Sequence, residues 1–127
     1  MENCYATGTV SGNNRSGGVV GLNNDGTVRN SVALNLNVTG ITNVGRVVGN
    51  NHGTVSNNRA RADLTVGGFV PSGTVDGDDV TLGTSLSTVF AGWNTSTVWN
   101  IPNGNLNVGS ALPRLRVFGN THMPVLP

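Results

Sequence analysis

Few residues of this chain have the type and spacing to do chemistry. Asp76-Gly77-Asp78-Asp79 has the oxygen density of a calcium loop, yet it lacks the full spacing and the closing Glu of an EF-hand, so an acidic turn is the simpler reading. His52 and His122 stand far apart, with no Ser or Cys pairing motif and no His-Glu-x-x-His, which leaves nucleophilic or zinc catalysis without support. Cys4 is the single cysteine, which excludes an intramolecular disulfide and a Cys-based metal site. Trp93 and Trp99 are open to two readings, a sugar-binding platform or the anchors of a terminal structural element.

The charge inventory narrows the classes further. A polysaccharide-cleaving site gathers several carboxylates or basic residues on one face, whereas only six acids exist here and three of them share one turn. The expectation is therefore no enzyme, no catalytic residue and no cofactor. Net charge is +1 and all seven basic residues are Arg. Arg59/Arg61 and Arg114/Arg116 alternate at strand spacing, so a solvated strand face explains them at least as well as a nucleic-acid footprint. No nucleic acid is expected as a partner. Membrane insertion is not expected either, since no apolar run approaches the roughly 18 residues of a span.

What must position any site is a repeat. Gly26-Thr27-Val28-Arg29-Asn30-Ser31-Val32-Ala33 returns as Gly53-Thr54-Val55-Ser56-Asn57-Asn58-Arg59-Ala60. Asn3-Cys4-Tyr5-Ala6 precedes Asn30-Ser31-Val32-Ala33 by the same interval. A fixed period of this length marks a stacked architecture, in which one unit cannot bury its own apolar face. With nineteen each of Gly, Asn and Val, fourteen Thr and 10% charged residues, the composition favours short strands and turns over long helices. The recurrence of Val and Gly in register, with 36% apolar residues, argues against low-complexity disorder.

The copies also suggest an inside and an outside. The column Ala6, Ala33, Ala60 is uniformly small, as close stacking demands. The column Tyr5, Val32, Arg59 accepts an aromatic, an aliphatic and a charge, and is expected to face solvent. Cys4 shares its column with Ser31 and Asn58, which argues for packing or exposure rather than a poised thiolate. Val28 and Val55 stand two residues before Asn30 and Asn57, so period-2 alternation puts valine and asparagine on one face. Asn3, Asn30 and Asn57 are accordingly expected to form a buried amide ladder, the alternative being ordinary turn residues.

The units start near Asn3, Asn30 and Asn57, and the last is shortened: the next Gly-Thr-Val begins at Gly73, Pro71 replaces a glycine and Asp76 takes the place of the ladder Asn. Repeats are assigned to residues 1–87. Beyond Thr88 the composition turns aromatic, and residues 88–127 are read as a C-terminal cap anchored by Trp93, Trp99 and Phe118. The chain enters in the middle of a repeat, so a longer natural polypeptide on the N-terminal side is expected.

The segments Asn3-Cys4-Tyr5-Ala6-Thr7-Gly8-Thr9-Val10, Gly17-Gly18-Val19-Val20-Gly21-Leu22-Asn23 and Val44-Gly45-Arg46-Val47-Val48-Gly49-Asn50 resemble the GLUG-motif repeats of bacterial surface and adhesin-like proteins. Gly92-Trp93-Asn94, Val98 to Gly104 and Leu112-Pro113-Arg114-Leu115 look like the closing module that follows such repeats. Arg46 and Pro71 depart from the motif's glycines, which puts the tight turns there in question. The resemblance implies an all-β fold, a right-handed parallel β-helix or β-solenoid of about three coils with an aromatic-rich C-terminal cap. It also implies a non-enzymatic structural or adhesive segment, extracellular or at the cell surface. Neighbouring repeats or identical chains stacking end to end are its expected partners, with surface glycans or proteins of a host or another cell as candidate ligands. A carbohydrate-binding or carbohydrate-active module built on Trp93, Trp99 and the Asp76–Asp79 turn is the alternative.

Overall fold

Strands of this chain pair with the matching strands of the next repeat, all in parallel, through Val80. The computed structural model describes residues 1–67, 76–119 and 124–127. Gly73, Pro71 and His122 lie outside them. The first repeat contributes β1 (Tyr5–Ala6), β2 (Val10–Ser11), β3 (Asn14–Gly17) and β4 (Val20–Asn23). The second contributes β5 (Thr27–Arg29), β6 (Val32–Ala33), β7 (Asn37–Thr39), β8 (Thr42–Gly45) and β9 (Val48–Asn51). Then come β10 (Thr54–Ser56), β11 (Arg59–Arg61), β12 (Thr65–Val66) and β13 (Asp78–Val80).

Register follows the repeat. Tyr5 pairs with Val32 and Val32 with Arg59, while Thr27 pairs with Thr54, all one sequence period apart. Between these, Val10 pairs with Val38, Ser16 with Val44 and Val20 with Val48, each pair separated by one residue more than the period. The extra residue enters between β6 and β7, in a connection rather than a strand, where insertion disturbs no ladder bond. The last pairing, Arg59 with Asp78, closes a much shorter interval than Val32 with Arg59.

Valine fills the interior of this first unit. Val28, Val38, Val47, Val48 and Leu64 pack with Ala33 and Ala60, and Val10, Val19, Val20, Val44, Val55 and Val66 lean on them. A β-branched side chain suits a half-buried pleated surface, and each fully buried valine contributes about 1.5–3 kcal/mol of transfer free energy. Gly17 and Gly45, paired in register, set the corner. A Cβ on Gly17 would stand 2.1 Å from the Val20 carbonyl oxygen, and one on Gly45 would stand 2.1 Å from that of Val48. No side chain fits either place. The corner survives the Gly-to-Arg departure at position 46, since the Gly18 N–H still donates to the Arg46 carbonyl at 2.9 Å and Val19 to Val47 at 3.0 Å.

The column expected to face solvent does not. Val32 is fully buried and Tyr5 and Arg59 half-buried, the two standing across from Val32 on the neighbouring strands. Burial holds the Tyr5 hydroxyl above its usual range. The small column behaves as expected: Ala33 and Ala60 are fully buried.

Compact units divide between Val80 and Thr81. The second, Thr81–Pro127, carries a single-turn helix, α1 (Leu86–Val89), and an antiparallel pair, β14 (Trp99–Asn100) with β15 (Arg114–Leu115), followed by a 3-10 turn at Arg116–Phe118. Leu86, Val89, Phe90, Trp93, Leu106, Leu112 and Leu126 are its buried residues of bulk. With parallel sheets in the first unit and one helical turn of α type among the described residues, the chain is all-β. No helix among them is long and apolar enough to cross a membrane.

Candidate functional site

The acidic turn is occupied by a cation from the chain itself. Arg46 follows β8, at the position where the first repeat has Gly18, and its side chain is fully buried. Its Nη1 donates to Asp79 Oδ1 at 2.6 Å, its Nη2 to the Gly77 carbonyl at 2.7 Å, and its backbone N–H to Asp76 Oδ1 at 2.8 Å. The Asp79 side chain is 51% exposed. Two carboxylates and a carbonyl thus converge on Arg46, and the Gly77 backbone (φ +92°) that aims them is one glycine adopts readily. No group of three or more metal-ligating side chains exists among the described residues.

Arg61 departs from the solvated strand face expected for the Arg59/Arg61 pair. It is buried, and forks onto Asp63 through Nε–Oδ1 at 2.7 Å and Nη2–Oδ2 at 2.9 Å. That hydrogen-bonded guanidinium holds the Asp63 carboxyl below the usual carboxylate range, against a smaller opposing effect of burial. Arg116 is spent on backbone, its Nε donating to the Thr95 carbonyl at 2.9 Å and to that of Trp99 at 3.1 Å. Arg29 pairs with Glu2 at 2.6 Å. Cys4 is half-buried with its thiol on the Glu2 carbonyl, and His52 is exposed between β9 and β10.

The column of asparagines expected to form a ladder sits at left-handed corners of the chain. Asn3, Asn30 and Asn57 all adopt left-handed backbone, with φ of 53°, 50° and 52°, and Asn57 is exposed. They are corner residues, a conformation Asn tolerates better than most residues. A corner breaks the period-2 alternation that related Asn30 to Val28. Other buried amides lie next door. Asn58 Oδ1 accepts the Ser31 N–H at 3.0 Å and its Nδ2 donates to the Val28 carbonyl at 2.9 Å. A direct amide-to-amide bond between repeats joins Asn23 Nδ2 to Asn51 Oδ1 at 2.7 Å. The signal for it is present in the sequence, since Asn23 and Asn51 end matching Val-Gly-x-Asn segments.

In the second unit, Phe90 and Trp93 meet edge to face at 4.9 Å, and Trp93 and Trp99 at 4.5 Å with their rings tilted. Trp93 is 5% exposed, Trp99 half-buried and Phe118 55% exposed on the 3-10 turn. Phe90, absent from the expected set of anchors, is buried beside Trp93. An exposed tryptophan platform is not what the fold builds. Beside this cluster lies a groove of about 580 Å³, its base lined by Phe90, Trp93 and Ile101 and its rim by Ser87, Thr95, Asn103 and Asn105. Among the described residues, no ionisable side chain lines it.

Compared with known protein families, curated proteins and solved structures, the chain matches none of them.

Proposed function

We propose that this chain is a non-enzymatic structural and adhesive segment of a bacterial extracellular or cell-surface protein, built as a right-handed parallel β-solenoid of about three coils that stacks through its open end. Strands recurring once per repeat in parallel register support the solenoid, and parallel crossovers are overwhelmingly right-handed. The resemblance to GLUG repeats supplies the surface setting.

The observation that carries the stacking is a step in burial across the register. Ala6, Val10 and Val20 of the first repeat are half-buried, while their partners Ala33, Val38 and Val48 in the second are buried. β1, β2, β3 and β4 each end the sheet they belong to. An apolar interior opening onto strand edges is a template for a further coil, and a second copy of the chain carries a coil of matching register. Light scattering over a concentration series tests this. The mass is expected to rise with concentration, and Val20→Lys, which sets a charge on the open coil, is expected to suppress the rise; a mass fixed at the monomer throughout refutes the stacking.

A further inference from the structure

Of the nineteen asparagines in the chain, Asn103 alone precedes a glycine. An asparagine carries its own reaction, because the backbone nitrogen of the next residue can reach the side-chain Cγ and close a five-membered ring. A side chain on that next residue hinders the approach, and glycine has none. A hydrogen bond from its N–H holds the nitrogen in place and opposes the attack. Where that N–H is spent therefore decides which asparagines react in the folded chain.

In the first unit the repeat spends it. The Ser31 N–H, which would attack Asn30, donates to Asn58 Oδ1 at 3.0 Å. The His52 N–H, next to Asn51, donates to the Asn23 carbonyl at 2.8 Å, and the Arg59 N–H, next to Asn58, to the Ser31 carbonyl at 2.9 Å. Each of these bonds reaches a neighbouring repeat, so the pairing that builds the fold also shields its asparagines.

The peptide between Asn103 and Gly104 is built differently. Both residues are exposed, so water and hydroxide reach it. A Cβ placed on Gly104 would meet nothing within 4 Å, which leaves the peptide room to turn. The Gly104 N–H makes no hydrogen bond to another described residue. The chain is fixed only beyond it: the Gly104 carbonyl accepts the Leu86 N–H at 2.9 Å, and the Leu106 N–H, next to Asn105, donates to the Thr84 carbonyl at 2.8 Å.

We propose that Asn103 is a self-modifying site, converting to aspartate and isoaspartate through a succinimide closed by Gly104. The Gly104 nitrogen bonds to Asn103 Cγ as the Cγ–Nδ2 bond breaks, and Nδ2 leaves as ammonia with the proton that Gly104 gives up. Water then opens the ring. Attack at Cγ yields aspartate, and attack at the backbone carbonyl yields isoaspartate, whose main chain is one carbon longer. Either product sets a carboxylate where the chain had a neutral amide, and the longer link pulls against the bond between Gly104 and Leu86. The reaction is independent of the stacking and of the surface setting proposed above.

The test is peptide mapping by mass spectrometry of the full chain aged at physiological temperature, folded and in concentrated urea, at neutral and at mildly alkaline pH. In the folded chain Asn103 is expected to be the first asparagine to gain one mass unit, sooner at the higher pH, with part of the product accepting a methyl group from an isoaspartyl methyltransferase. Asn103→Gln, at an exposed position, is expected to remove that first conversion, since glutamine would have to close a six-membered ring. Asn30 and Asn51 are expected to convert several-fold faster in urea than in the folded chain. An Asn103 that outlasts another asparagine of the folded chain, or Asn30 and Asn51 converting as fast folded as unfolded, overturns the proposal.

Discussion

Arg46 and Asp79, far apart in the sequence, meet at 2.6 Å with the guanidinium fully buried and the carboxylate half in water. The asymmetry decides what each substitution does. Asp79→Ala strands a buried cation, a defect that costs about 3–5 kcal/mol when a buried pair is broken. Arg46→Met leaves a carboxylate that is already hydrated and the Gly77 carbonyl without its donor, while removing Arg46 Nε, a buried donor with no partner among the described residues. Its expected cost is about 1–3 kcal/mol, below that of Asp79→Ala. Urea unfolding followed by far-ultraviolet circular dichroism measures both, and equal losses would contradict the asymmetry.

The Asn23 amide predicts a second inequality. Its Nδ2 reaches Asn51 Oδ1, the Gly26 carbonyl and the Thr54 carbonyl, so Asn23→Ala leaves acceptors from two repeats without this donor. A loss of about 1–3 kcal/mol is expected. Asn51→Ala also removes its bonds to Gly53, yet it should cost less, because Asn51 is half-buried where water can replace its partners and Asn23 is buried. The same unfolding measurement ranks them.

How much of this was legible in the sequence depended on whether a residue obeyed the period. Gly17 and Gly45, and Ala33 and Ala60, were readable because each recurs at a counted spacing. Arg46 was not, because its partner Asp79 lies on β13, which joins the register at a shortened interval, and only the folded path brings them together. Alternation could not be carried through Asn30 for a local reason, the left-handed corner it makes between Val28 and Val32. Val32 misled because a column of mixed residue types resembles a surface even where the middle member is covered. The groove has no periodic signal, since its residues come from a helix, a turn and a loop that never repeat.

Acid titration should isolate Asp63. Its carboxyl is held below the usual carboxylate range by Arg61, so the folded state binds a proton less readily than the unfolded chain. The resulting stability is present above the unfolded value and is lost as pH falls through the folded one. Stability measured from about pH 5 down to about pH 2 should therefore fall more steeply in the natural chain than in Asp63→Asn. The difference is expected to be small and to shrink with added salt, because the carboxylate is largely exposed. A variant with the same acid slope would show that the pair does not couple to folding.

The second unit offers the sharpest contrast between two aromatics. Trp93 is buried against Phe90 and Trp99, whereas Phe118 is mostly exposed. Removing a buried aromatic forfeits its transfer free energy and leaves a cavity, together about 3–5 kcal/mol. An exposed ring removed from a surface turn changes stability by about 0.5 kcal/mol or less. Trp93→Ala should accordingly abolish or strongly lower the thermal transition reported by the remaining Trp99 fluorescence, and Phe118→Ala should leave it in place. If Phe118→Ala were the more damaging, the ring would be buried in solution and the sequence expectation that made it an anchor would stand. If both were silent, the Phe90–Trp93–Trp99 cluster would not be what holds residues 81–127 together.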